Sequence, residues 1–373
     1  MKAQVPENIK SIIPYPPGKP MDELEREYGV ANAIKLASNE NAWGSSPRAI
    51  QAIQDTLTEL HRYPDGSNYY LVQAIAEKLG FSPDEVVVGN GSDEIIEFLV
   101  KAFVQTGDEV ITSHPSFLMY QKVVQVRGGV NTVLPLKNMR HDLEAILENI
   151  TDRTRLIFLD NPNNPTATVI KPVDLYDFLS KVPEYVVVVL DEAYVDFTDY
   201  DMQIDVYSLI QNSKNRCGVV ALRTFSKAYG LAGIRVGFGL MSAELAGYLH
   251  RVRSPFNVNK LAQVAAVAAL EDTEFYEKTL KGTREGMVWL QGEIKKLGCN
   301  CYPSQTNFFL VDVGEDANVL YEAMLYKGVI IRSMKAYGYA NVIRITVGTM
   351  EENKRLLQSL TECLSDLSYS VIK

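Results

Sequence analysis

Through the middle of the chain, short apolar runs alternate with stretches whose apolar positions recur at helical spacing. The runs at Glu85–Val88, Glu109–Thr112, Arg155–Leu159, Tyr185–Leu190, Gly218–Leu222 and Arg235–Leu240 predict strands. Between them, Asp93–Gln105 puts Ile95, Ile96, Leu99, Ala102 and Phe103 on one face of a helix. Tyr185-Val-Val-Val-Val-Leu190 is apolar without alternation, as expected of a strand covered on both faces. Strands alternating with helices predict an α/β fold with a mostly parallel central sheet flanked by helices.

After Asn257 the pattern changes. Two long helical stretches, Lys260–Leu270 and Glu274–Leu297, lead into short strands at Asn307–Asp312, Val329–Arg332 and Val342–Thr346, and a last helix is expected over Glu351–Leu367. This reads as a smaller α+β domain. The opening Ile13-Pro-Tyr-Pro-Pro-Gly-Lys-Pro20 cannot form regular helix and suits an extended arm. The expected organisation is an N-terminal arm over 1–40 that joins the small domain, a large domain over 41–270 and a small C-terminal domain over 271–373.

A length of 373 residues fits this division, at roughly 150 residues per domain. Charged residues make up 22 % and apolar ones 46 %, an ordinary globular profile. The net charge of -9 speaks against a nucleic-acid surface, which needs clustered Lys and Arg. It leaves room for an anionic small substrate met by local arginines. Met1–Lys10 has no apolar stretch of signal-peptide length, and Tyr185–Leu190 is far shorter than the about 20 residues that span a bilayer. A cytoplasmic protein with no membrane partner is expected. Cys217, Cys299, Cys301 and Cys363 have neither zinc-type spacing nor a disulfide framework. His61, His114, His141 and His250 are scattered, so no metal site is expected.

Candidate chemistry starts with Arg223-Thr-Phe-Ser-Lys-Ala-Tyr-Gly-Leu-Ala-Gly-Ile-Arg235, directly after a candidate strand. Most lysines are solvated surface charges, but Lys227 sits among small, hydroxylated and apolar residues. A lysine that forms a Schiff base needs such a site, because desolvation or a nearby cation favours its neutral amine. Ser226 and Arg235 are suited to a phosphate, by hydroxyl donation and by a charged fork. Asp191, at the carboxyl end of the apolar strand, either caps the next segment or pairs with a pyridinium nitrogen. Asn161-Pro-Asn-Asn-Pro-Thr166 is turn chemistry, with Asn164 able to donate to a cofactor oxygen. Gly89-Asn-Gly-Ser-Asp-Glu94 joins a strand to a helix and could seat a phosphate, while Ser92 or Asp93 could be an N-cap. Glu94 stands where a dinucleotide fingerprint wants glycine, and the Walker, G-x-S-x-G and H-E-x-x-H patterns are absent.

Taken together, Asn161-Pro-Asn-Asn-Pro-Thr, Asp191-Glu-Ala-Tyr and Ser226-Lys-Ala-Tyr-Gly-Leu-Ala-Gly-Ile-Arg235 resemble the fold-type I aminotransferases, which depend on pyridoxal 5'-phosphate. Tyr15-Pro-Pro-Gly-Lys19, Ser38-Asn-Glu-Asn41, Arg62-Tyr-Pro-Asp65, Pro255-Phe-Asn-Val258 and Arg344-Ile-Thr-Val-Gly348 narrow the resemblance to the histidinol-phosphate aminotransferase family, over nearly the whole chain.

The resemblance implies that Lys227 carries the cofactor as a Schiff base and then shuttles the substrate proton. It implies that Asp191 pairs with the pyridinium nitrogen and that Asn164 and Tyr194 contact the phenolic oxygen. Ser92, Asp93, Thr224, Ser226 and Arg235 would surround the cofactor phosphate, with Phe117 stacked on the ring. Tyr63 would reach the phosphate of a partner subunit's cofactor, which implies a homodimer with shared sites. Arg344 would bind the substrate anion, helped by Arg332 and Tyr15, with Asn41 also at the substrate. One departure is Ala167, where the family commonly has glycine; alanine suits that position if its φ is negative, with a small local adjustment.

The expected reaction is amino transfer between histidinol phosphate and 2-oxoglutarate, giving imidazole-acetol phosphate and glutamate in histidine biosynthesis. An aromatic amino acid aminotransferase and a threonine-phosphate decarboxylase share much of this motif set. A non-catalytic binding protein is disfavoured by the presence of Lys227, Asp191 and Arg344 together.

Overall fold

A computed structural model describes residues 4–14, 21–211 and 217–367. Tyr15 and the rest of the Pro-rich segment to Pro20 lie outside the described residues. The strands are β1 (Ile34–Lys35), β2 (Val86–Gly89), β3 (Glu109–His114), β4 (Val130–Pro135), β5 (Thr154–Asp160), β6 (Val187–Asp191) and β7 (Gly218–Thr224), followed by β8 (Gly237–Leu240), β9 (Asn300–Cys301), β10 (Phe308–Asp312), β11 (Val329–Ile330), β12 (Arg332–Ser333) and β13 (Val342–Thr346).

Seven strands form the central sheet in the order β2-β8-β7-β6-β5-β3-β4. β8 runs antiparallel to both neighbours, and the remaining pairs are parallel. β6 explains its own unbroken apolar sequence: Val188 and Leu190 enter the core on one face, and Val187 and Val189 the core on the other. Parallel strands covered by helices on both sides need apolar side chains at every position.

A second body is built on the antiparallel sheet β12-β13-β10-β9. Its core joins Phe309, Val311, Ile343 and Ile345 to Leu290 and Ile294 of helix Thr273–Lys296 and to Leu356 and Leu360 of helix Met350–Asp366. Asp272, between the helices Lys260–Glu271 and Thr273–Lys296, accepts from Phe275 N as N-cap and from Ser46 Oγ at 2.6 Å.

Two expectations change. The run Val329–Arg332 is not one strand: Val329 and Ile330 pair with β1, whereas Arg332 and Ser333 pair with β13. Nor does the arm act as a unit. Helix Met21–Tyr28 and β1 do join the C-terminal body, where Leu24 packs with Leu325 and Ile330. Residues 4–14 instead lie on helix Met119–Arg127 beside the central sheet, with Asn8 Nδ2 donating to Gln125 O at 2.9 Å. Asn8 and Ser11 can satisfy polar groups there that an apolar core would strand.

Candidate active site

β5 and β6 pair in register, with Asp160 opposite Asp191 at their carboxyl ends. The edge they share with β7 is where open α/β sheets place their ligands. Asp191 is buried. Its Oδ2 accepts from Tyr120 Oη at 2.7 Å and its Oδ1 from Ala193 N at 3.1 Å. Burial nevertheless pushes its pKa up to about 7, Tyr120 and Ala193 opposing and Asp160 and Asp93 reinforcing the rise. A carboxyl in this position gains most from a cation brought against it.

Beside it is a seat for an anion. Helix Ser92–Phe103 starts after Gly91, whose φ of +82° puts it in the left-handed region. Arg235, itself left-handed at φ 62°, reaches across to Asp93 Oδ2 at 3.1 Å and Ser226 Oγ at 3.5 Å. A Cβ on Gly91 would come 2.5 Å from Arg235 Nη2, and one on Gly237 would come 2.5 Å from Ser92 N. Glycine at both places lets a guanidinium, two hydroxyls and the helix's free N–H groups converge. That donor set fits a phosphate. Neither Ser92 nor Asp93 is the N-cap. Gly91 is, and Glu94 reaches back to Asn90 N at 2.7 Å.

These groups open on a cavity of about 260 Å³. Lys227 enters it, its Nζ 3.5 Å from Ser38 O and 5.5 Å from the Tyr194 ring centre. Phe117 lies in the wall, edge-on to Tyr120. Arg344 is buried, donating from Nη1 to Asn164 Oδ1 at 2.6 Å and from Nη2 to Ala37 O at 2.8 Å. Arg332 lines the same cavity from the neighbouring strand. Asp191 thus meets the requirement for a pyridinium partner and Lys227 that for a covalent anchor, so the residues present fit pyridoxal phosphate.

Of the residues expected from sequence, the cavity brings together the phosphate-seat set Ser92, Asp93, Thr224, Ser226 and Arg235. It also brings together Phe117, Asn164, Asp191, Tyr194 and Lys227, with both arginines. Asn41 is elsewhere. Its Nδ2 donates to the carbonyls of Lys227 and Ala228 at 3.1 and 3.0 Å and lies 3.3 Å from Thr279 Oγ1. It clamps the lysine's backbone and does not line the cavity. Tyr63 is 82 % exposed, stacked on Phe256 with ring centres 4.9 Å apart, and also outside. Tyr15 falls outside the described residues. Ala167 contradicts the negative φ expected of it, adopting φ 60°. Its N donates to Asn163 O and its O accepts from Gln305 N, which hold the turn despite a cost of about 1–2 kcal/mol.

Asn39, Tyr120, Asp160 and Tyr337 are among the cavity residues not singled out from sequence. Tyr120 carried a usable signal, lying one helical turn beyond Phe117. Asp160 had one too, as the acid ending a strand just before the Asn-Pro turn.

The sequence matches the family Aminotransferase class I and II over residues 31–360. A histidinol-phosphate aminotransferase from Desulfotalea psychrophila is 64 % identical over 369 residues, 99 % of this chain and 97 % of that one. Another from Moorella thermoacetica is 45 % identical over 96 % of this chain and 92 % of its own. The crystal structure of histidinol-phosphate aminotransferase from Sinorhizobium meliloti, in complex with pyridoxal-5'-phosphate, superposes with a TM-score of 0.90 at 29 % identity, covering 98 % of this chain and 99 % of that one.

Proposed function

The chain belongs to the class I and II aminotransferases, and we propose that it transfers an amino group reversibly between histidinol phosphate and 2-oxoglutarate, giving imidazole-acetol phosphate and glutamate in histidine biosynthesis. The observation that carries the substrate assignment is the pair of guanidiniums, Arg332 and Arg344, in the cavity that also holds Lys227. A phosphate has more charge and more acceptor oxygens than a carboxylate and makes use of a second cation.

Pyridoxal 5'-phosphate, when bound, supplies an electron-withdrawing ring that stabilises charge at the substrate's Cα. Ser92, Thr224, Ser226 and Arg235 would hold its phosphate, with Asp93 orienting Arg235. Asp191 would keep its ring nitrogen protonated, Asn164 and Tyr194 would meet its phenolic oxygen, and Phe117 would cover the ring. Lys227 would anchor it and then move the proton at the substrate's Cα through Nζ. Arg344 binds the anionic group of either substrate.

A homodimer is part of this reading. Tyr63 and Phe256 form a stacked aromatic pair, 82 % and 46 % exposed, and neither lines the cavity of their own chain. Tyr69, Tyr70, Leu57 and Leu60 are also exposed in this part of the chain. Large exposed apolar groups of this kind mark contact surfaces. Tyr63 would then reach the partner subunit's cofactor phosphate. No helix among the described residues is long and apolar enough to cross a membrane. The four buried free cysteines support a reducing, cytoplasmic location.

A coupled assay of the purified protein with 2-oxoglutarate and a panel of amino donors tests the proposal. Histidinol phosphate should give the highest kcat/KM. A higher value with phenylalanine, or carbon dioxide released from threonine phosphate, would overturn it.

A further inference from the structure

Asn39 is buried at the wall of the cavity, with a left-handed backbone at φ 54°. It stands at a junction. Its own backbone N–H donates to Thr346 Oγ1 at 3.0 Å, Thr346 Oγ1 donates to Asn39 Oδ1 at 3.1 Å, and Asn39 Nδ2 donates to Tyr194 Oη at 2.9 Å. Asn307 Nδ2 donates to Asn39 O at 3.2 Å, fastening the same residue to the C-terminal body.

The direction of this chain is not free. A backbone N–H can only donate, so Thr346 Oγ1 accepts at that contact. Its own hydrogen then has a single acceptor among the described residues, the side-chain oxygen of Asn39. Turning the amide over would leave that buried hydroxyl hydrogen without an acceptor, an arrangement buried polar groups avoid. Asn39 therefore presents N–H to Tyr194, and Tyr194 Oη accepts. The phenol's hydrogen is left to point elsewhere, and the cavity that Tyr194 lines is the open side.

We propose that Asn39 and Thr346 are positioning residues that fix Tyr194 as a hydrogen-bond donor toward the cofactor's phenolic oxygen, so that a hydroxyl on β13 of the C-terminal body sets the protonation of a cofactor held by the central sheet. This rests on the reading of Tyr194 as a contact of that oxygen. Donation to the anionic form of an oxygen stabilises that form. Lys227 Nζ, which would carry the cofactor, lies 5.5 Å from the Tyr194 ring, and the Arg344 cation faces the same region over Phe308, whose ring meets Tyr194 edge-on. Asp191 is the buried acid at the end of β6. None of these changes charge in a Thr346→Val variant, which removes one hydroxyl and keeps the side chain's shape.

The test is a spectroscopic pH titration of the holoenzyme without substrate, following the absorption band of the bound cofactor. Thr346→Val frees the amide of Asn39 and should raise the transition by roughly half to one pH unit. Thr346→Ser keeps the hydroxyl and should restore the native midpoint. Tyr194→Phe alone should raise the midpoint at least as far, and Thr346→Val should add nothing to it, because its effect passes through Tyr194. A midpoint unmoved in Tyr194→Phe overturns both the reading of Tyr194 and the proposal. A shift in Tyr194→Phe with none in Thr346→Val, or equal shifts from Thr346→Val with and without Tyr194, overturns the proposal and leaves that reading standing.

Discussion

Arg332 and Arg344 are directly opposed residues of the antiparallel pair β12–β13, and both line the cavity that holds Lys227. Like charges at paired positions of adjacent strands repel. The arrangement becomes favourable once an anion lies between or beside them. Their surroundings differ: Arg344 is buried and bonded to Asn164 and Ala37 O, whereas Arg332 is half-buried and forms no ion pair among the described residues.

That difference predicts a division of labour. Arg344→Ala should damage both half-reactions, since either substrate brings an anion to it. Arg332→Ala should hurt histidinol phosphate more than glutamate, losing roughly 1.5–3 kcal/mol of charged hydrogen bonding, or about ten- to a hundredfold in kcat/KM. Single-turnover rates of the two half-reactions check this; equal losses would remove the special role of Arg332.

Asp191 predicts a pH effect on the protein stripped of its cofactor. Its folded pKa of about 7 lies above that of the unfolded chain, near 3.9. The stabilising contribution of the protonated form is complete below the lower value and is lost as pH rises through about 7. Stripped native protein should therefore lose stability between these values. Stripped Asp191→Asn should lose less, because its amide oxygen still accepts from Tyr120 and never ionises, leaving only the other buried acids to titrate. At pH 8 it should be the more stable by roughly 2–4 kcal/mol, although poor at binding cofactor. Thermal midpoints of both proteins across this range decide the matter.

Legibility from sequence followed burial and chain continuity. β6 announced itself because both faces are covered, which forces an unbroken apolar run. The edge strand β4 did not, since its positions alternate between exposed and half-buried and include Asn131 and Thr132. The split of β11 from β12 was hidden, because Val329-Ile-Ile reads as continuous until one sees which partners each end meets. Cavity-lining residues within compact motifs, such as Asp191, Ser226, Lys227 and Arg235, were readable for the same reason: their neighbours in sequence are their neighbours in space. The choice between Asn39 and Asn41 was not. It turns on the left-handed backbone at Asn39 and on carbonyls near Lys227, far along the chain. Tyr120 was missed as the partner of Asp191 because 71 residues separate them.

The exposed Tyr63–Phe256 pair predicts complementation between subunits. Tyr63→Ala and Lys227→Ala proteins should each be nearly inactive alone. A hybrid dimer carries one site with Lys227 from one chain and Tyr63 from the other, and one site with neither. After random exchange half the dimers are hybrids with one of two sites intact, so activity should rise to about a quarter of native. Demonstrated subunit exchange without recovery would remove Tyr63 from a shared site.

Behind the cavity, Arg223 predicts a second and opposite kind of stability change. Its Nε donates to Glu192 Oε2 at 2.9 Å, and Asp196 nearby accepts from Tyr276 Oη at 2.7 Å. Burial raises the pKa of both acids, with Arg223 holding each of them down. Burial alone would lower the pKa of Arg223, but Glu192 and Asp196 keep it above its usual value. Removing the guanidinium leaves two buried acids with one fewer cation, so their folded pKa values rise further. A raised folded pKa means stability that is present at low pH and lost as pH rises through it. Arg223→Met should therefore be only mildly destabilised at pH 5 and should lose about 3–5 kcal/mol at pH 8, the usual cost of breaking a buried ion pair from one side. Adding Glu192→Gln removes one stranded charge and should recover part of the loss at pH 8 while changing little at pH 5. Denaturant unfolding of the two variants at both pH values checks this. A pH-independent loss would mean that Arg223 acts by packing its stem and not by neutralising Glu192.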